Sequence, residues 1–216
     1  MDYRLPTTVV PKRYDLRLEP DLAAATFSGE AVITVDVETT LTEIVLNAAE
    51  LQIQSASVAR GGGVPIHGSI TLDEAAERAR LVFPAAIAPG EWRLTLRFTG
   101  VLNDRLHGFY RSTYKDLAGQ PHTLAATQFE ATDARRAFPC WDEPAFKAVF
   151  GVTLVVAGNL AAVSNTAVVR EEPLGDGRKL VAFADSIRMS TYLVAFVVGE
   201  LEATETVMVG QTPLRV

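Results

Sequence analysis

The feature that most constrains this chain is a hydrophobic period of two, repeated segment after segment, with no helix-length amphipathic run between. The cleanest case is 91–99, where Trp92, Leu94, Leu96 and Phe98 alternate with Glu91, Arg93, Thr95 and Arg97. Successive side chains of a strand point to opposite faces, so this pattern predicts a half-buried antiparallel strand. Pro89-Gly90 just before it reads as a turn. The same alternation runs through 14–19 and 27–38. Further strands are expected at 43–47, 51–59, 69–72, 78–83, 123–129, 147–157, 161–169, 179–184, 188–202 and 206–209. The nearly continuous apolar run 149–156 predicts a central strand covered on both faces. Gly61-Gly62-Gly63 and Gly175-Asp176-Gly177 read as hairpin loops. Asp73 to Ala79 fits either a short helical turn or a charged loop. Meanders of this spacing predict an all-β sandwich.

Composition narrows the class. The chain has 216 residues, 48% apolar and 21% charged, enough for a full hydrophobic core. It is rich in Val and Thr, whose branched side chains suit a pleated surface. The net charge of −6 argues against a nucleic-acid partner. Cys140 is the single cysteine, so no disulfide forms within the chain. The longest apolar stretch, 192–198, is too short to cross a bilayer. The opening MDYRLPTTVVPKRYDL has no apolar targeting region, so the expected location is the cytoplasm. At the other end the chain stops within an expected strand beginning at Leu214, without a polar tail. That abruptness suggests a piece of a longer protein.

Known catalytic signatures are missing. His67, His107 and His122 show neither the spacing nor the Cys/His clustering of a zinc site. No phosphate-binding loop or nucleophile elbow occurs, and Cys140 reads as a small buried thiol. One stretch departs from the strand pattern: TQFEATDARRAFPCWDEP, residues 127–144. It mixes Glu130, Asp133, Arg135, Arg136, Asp142 and Glu143 with Phe129, Phe138 and Trp141. One reading is a rigid surface loop whose ion pairs contribute little if exposed. The other is that Gln128 and Glu130, two apart, project from a strand end on the same side. An amide and a carboxylate so placed suit an amine and a substrate backbone.

The stretch 127–144 resembles the signature of the N-terminal domain of zinc aminopeptidases of the aminopeptidase N and puromycin-sensitive type. LPTTVVPKRYDLRLEPD at 5–21 and FSGEAV at 27–32 resemble that domain's first two strands. HGFYRSTY at 107–114 and SIRMSTYLVAFVVGE at 186–200 resemble two further segments. The likeness covers essentially the whole chain; Arg188 stands where many relatives have proline. It implies a saddle-shaped antiparallel β-sandwich, 1–216, whose last strand leads toward a catalytic domain that this chain lacks. That domain would carry the GAMEN motif and the HExxH zinc helix, neither of which is here. The resemblance therefore places no catalytic residue and no metal ligand in this chain, and zinc only in the full-length enzyme. Glu130 matches the residue that binds the substrate's free α-amino group, and Gln128 one lining the pocket for the first side chain. The bond Glu130–Ala131 is expected to be cis, and 133–144 to support the strand end. The implied partners are the missing catalytic domain and a peptide N-terminus, with no nucleic acid and no membrane. The alternative is a non-catalytic scaffold that keeps the fold; a related epoxide-hydrolase branch carries an amide where Glu130 stands.

Overall fold

The computed structural model describes residues 4–214. These form sixteen strands and two three-residue 3-10 helices. In chain order the strands are β1 Val9–Asp21, β2 Thr26–Val37, β3 Leu41–Asn47, β4 Leu51–Ala59, β5 Ile66–Asp73, β6 Arg78–Ile87, β7 Gly90–Val101 and β8 Gly108–Lys115. There follow β9 Pro121–Gln128, β10 Val149–Ala157, β11 Ala161–Ser164, β12 Val168–Pro173, β13 Arg178–Phe183, β14 Phe196–Gly199, β15 Val207–Val209 and β16 Thr212–Leu214. The expected all-β class is what the chain adopts.

Ten strands pair in the order β12-β13-β10-β1-β2-β7-β4-β5-β6-β3, four in the order β11-β14-β9-β8, and β15 pairs with β16 alone. Antiparallel pairing prevails between the described strands, but β1 and β10 run parallel, Tyr14 opposite Phe150. β5 divides its pairing, 66–68 with β4 and 69–73 with β6. The strand thereby carries the sheet over from one ladder to the next.

Aromatic side chains join the large sheet to the four-stranded one. Phe27 of β2 meets Phe109 of β8 at 5.1 Å between ring centroids, and Phe109 meets Phe196 of β14 at 4.9 Å. Tyr14 stacks on Phe150 at 4.9 Å and touches Phe138 edge-on. Offset and edge-to-face contacts of this kind add to the burial of large rings.

Several segments differ from expectation. Asp73 to Ala79 is not helical; its centre is the turn of the β5–β6 hairpin. The expected strand 161–169 is two strands in two sheets, β11 and β12, with the crossing between. The stretch 188–202 is broken: Met189 bridges Ala148, a 3-10 helix covers Thr191–Leu193, and only Phe196–Gly199 is strand. The cause is side-chain chemistry. Ser190 Oγ donates to the Pro144 carbonyl at 2.9 Å and Thr191 Oγ1 to Asp142 Oδ1 at 2.6 Å, pulling both hydroxyls inward. β10 is covered on both faces only at 154–156; Val149, Gly151 and Thr153 keep a half-buried outer face. The expected last strand extends to residues 215 and 216, which lie outside the described residues.

Candidate functional site

β9 ends at Gln128, which lies opposite Gly108 of β8. Beyond it the strand alternation persists for one more pair: Gln128 is exposed, Phe129 buried and Glu130 exposed. Phe129 is the anchor, meeting Phe138 at 5.9 Å and Phe196 at 6.0 Å, both edge-on. Glu130–Ala131 is cis, as expected. The chain then turns, with the Asp133 amide donating to the Phe129 carbonyl at 2.9 Å, and enters the 3-10 helix Ala134–Arg136.

Around this turn every neighbouring carboxylate of the motif is committed. Asp133 Oδ1 accepts from Arg136 Nε at 2.8 Å. Arg136 also donates from Nη1 to Glu50 at 2.7 Å and from Nη2 to Glu77 at 2.6 Å. Arg135 Nε donates to Asp142 Oδ2 and Nη1 to Glu77, both at 3.0 Å. Asp142 further accepts from Thr191, and its amide donates to Asn47 Oδ1 at 3.2 Å. Glu143 accepts from the Leu5 amide at 2.6 Å. Glu130, by contrast, makes no ion pair or side-chain hydrogen bond with any described residue.

The surface-loop reading of 127–144 needs correcting at this point. The Asp142 side chain is 1% exposed and that of Arg135 12%. Ala134, Ala137, Phe138, Cys140 and Trp141 have no exposed surface. A buried pair is not the weak surface contact that composition suggests, because removing one partner strands the other charge in a medium of low polarity. Asn47 and Cys140 exchange both backbone hydrogen bonds, 2.8 and 3.0 Å, so the loop also extends the edge of β3. Burial, with the nearby Asp142 charge, pushes the Cys140 thiol well up, which makes it a poor nucleophile. The sequence does not reveal Glu50 and Glu77 as members of this cluster; they sit 86 and 59 residues from Arg136.

The histidines are dispersed. His107 Nδ1 lies 3.5 Å from Asp133, and His122 stands between Asp116 at 3.2 Å and Glu200 at 2.6 Å. Among the described residues no three His, Cys, Asp or Glu side chains come together in a way that could hold a metal ion. The residues here therefore do not fit a zinc centre. No helix among them is long and apolar enough to cross a membrane.

Over 213 residues the chain is 46% identical to aminopeptidase M1-D of Oryza sativa subsp. japonica, covering 99% of this chain and 24% of that protein. It is 45% identical to the puromycin-sensitive aminopeptidase of Caenorhabditis elegans, over 92% of this chain and 21% of that protein. Aminopeptidase N of Acetobacter pasteurianus is 38% identical, over 99% of this chain and 59% of that protein. The chain thus spans about a quarter of the length of the plant and nematode relatives. Residues 10–193, from β1 through the second 3-10 helix, match the model of the peptidase M1 N-terminal domain. With the strands, the buried motif loop and the match all coinciding over these residues, the chain belongs to the peptidase M1 N-terminal domain family.

Proposed function

We propose that this chain, 1–216, is the N-terminal domain of a cytoplasmic zinc aminopeptidase and that it supplies the anchor for the substrate's free α-amino group. Glu130 is the anchor, and Gln128 lines the pocket for the first side chain. The observation that carries this reading is the uncommitted carboxylate of Glu130 amid fully paired ones. An exposed carboxylate on a rigid strand end, free of arginine, is available to a ligand's cation.

The chemistry follows from charge. A peptide's N-terminus bears an ammonium with three donors, whereas an internal peptide bond bears none. A fixed carboxylate accepting from that ammonium forms charge-assisted hydrogen bonds, roughly twice as strong as neutral ones. Holding the amine also fixes the distance from it to the first peptide carbonyl, so only the terminal bond is presented for hydrolysis. Gln128, two residues away on the same face, meets the side chain that the first residue projects. The metal and the groups that react belong to the catalytic domain that accounts for the relatives' additional length.

The test is kinetic and uses the full-length enzyme. Glu130→Ala removes about 2–3 kcal/mol of binding to the charged amine, so kcat/KM for an unblocked aminoacyl anilide falls roughly 30- to 150-fold. Unchanged kinetics would take Glu130 out of the site.

A further inference from the structure

We infer that Arg136 is the positioning residue of the Gln128–Glu130 strand end, holding both of its flanks at once; the inference rests on the amine-anchor reading above. The first flank is the turn that follows Glu130. Its closing residue, Asp133, donates its amide to the Phe129 carbonyl at 2.9 Å, and Arg136 Nε holds its carboxylate at 2.8 Å. The second flank is the neighbouring strand. Gly108 lies opposite Gln128, and a Cβ placed on Gly108 would stand 2.8 Å from Cβ of Arg136. The stem of Arg136 is thus packed against the backbone that pairs with Gln128.

The guanidinium is itself immobilised from outside the motif. Nη1 reaches Glu50 just before β4, and Nη2 reaches Glu77 at the end of the turn into β6. Glu50 is fixed in turn by Arg105 at 2.7 Å, and Glu77 by Arg135 at 3.0 Å. All three guanidinium nitrogens therefore bond to carboxylates on three different segments of chain. A planar fork with every direction spoken for resists rotation, as a flexible ammonium would not. Arg136 joins the segment bearing the anchor to two loops of the large sheet, and its hydrogen bonds go to neither Gln128 nor Glu130. Glu130 needs such a frame because its own carboxylate has no partner among the described residues. Displacing a binding group by about 1 Å suffices for a large loss in rate.

Steady-state kinetics on the full-length enzyme separates this role from plain stability. The variants are Arg136→Gln, Arg136→Lys, Asp133→Asn, Glu130→Ala and the double Arg136→Gln/Glu130→Ala, with an unblocked aminoacyl anilide as substrate. A loss of folded protein lowers apparent kcat and leaves KM alone. Lost positioning raises KM. The expected result is a rise in KM of roughly tenfold for Arg136→Gln, and a smaller rise for Arg136→Lys, which restores the charge without the fork. Should Arg136→Gln not fold, Asp133→Asn carries the test, since it loosens the turn while the Glu50 and Glu77 contacts stay. In the Glu130→Ala background the Arg136 substitution adds less than about twofold, because the group it positions is gone. Glu130→Ala losing activity while Arg136→Gln and Asp133→Asn leave KM unchanged overturns the positioning role alone. Effects that multiply in the double variant overturn it too. A silent Glu130→Ala removes both the anchor and the inference built on it.

Discussion

The β8–β9 hairpin is fastened by ion pairs at both ends, and the two ends differ in what those pairs are worth. At the root, where Gly108 faces Gln128, the side chains of Arg135 and Arg136 are mostly covered and share four carboxylates, of which Asp142 is fully buried. At the tip, where Lys115 faces Pro121, His122 stacks on Tyr114 at 5.2 Å and lies between Asp116 and Glu200. Tyr114 donates its hydroxyl to the Glu200 carbonyl at 2.8 Å. The tip contacts are nearly as short, yet every charged group in them is partly exposed and so screened, and none is buried as Asp142 is. Distance alone does not rank the two ends; burial and the number of shared partners do.

The comparison breaks most decisively at Asp142. Asp142→Ala takes the buried carboxylate away from Arg135 Nε and from the Thr191 hydroxyl, so unfolding free energy falls by about 3–5 kcal/mol. Chemical denaturation of the domain reads this directly; a loss comparable with that of Asp116→Ala at the tip would erase the distinction. Gly108→Ala is the next largest. Its φ of +66° and the 2.8 Å approach of Arg136 leave no room for a methyl group. The expected cost is about 1–3 kcal/mol, visible as a lower denaturation midpoint. A neutral substitution there would mean that the root tolerates movement.

The smallest effect sharpens the contrast through pH. The hydrogen bond to Asp116 above all, with the charge of Glu200 acting against modest desolvation, holds the His122 pKa above the ordinary imidazole value. A raised pKa means that the folded state favours the proton. The contribution is full below the unfolded imidazole pKa and is lost as pH rises through the folded one. Asp116, lowered by the Gln120 amide and then by His122, contributes above the ordinary carboxylate range and fails only in acid. Hydrogen exchange at 115–122, corrected for intrinsic rates, should therefore quicken from mildly acidic to alkaline solution. The amides at 133–137, in the turn held by Arg135 and Arg136, should change less. Parallel behaviour of the two segments would sink the assignment.

Much of this was legible in the residues themselves. The face of β7 formed by Leu94, Leu96 and Phe98 is buried as its alternation requires. The same arithmetic sends Gln128 and Glu130 outward and Phe129 inward. What escaped was every feature decided far along the chain. Ser190 and Thr191 break a strand-like stretch because their hydroxyls bond to Pro144 and Asp142, more than forty residues earlier. The segment at 108–115 is strand although its face is largely exposed, so no buried stripe marks it. Paired arginines looked like surface decoration because Glu50 and Glu77 are remote in sequence. Period and spacing report local geometry, whereas burial of charge is settled only when distant segments meet.

The parallel pairing of β1 with β10 carries a consequence for synthesis. A ribosome delivers Val9–Asp21 early, and β2 arrives at once to cover one side. The other side stays open until Val149–Ala157 has emerged, so a row of backbone donors and acceptors waits while β2 through β9 are made. An open edge of that kind is an invitation to the wrong neighbour. For the nascent chain the critical interval ends when its tenth strand reaches its first.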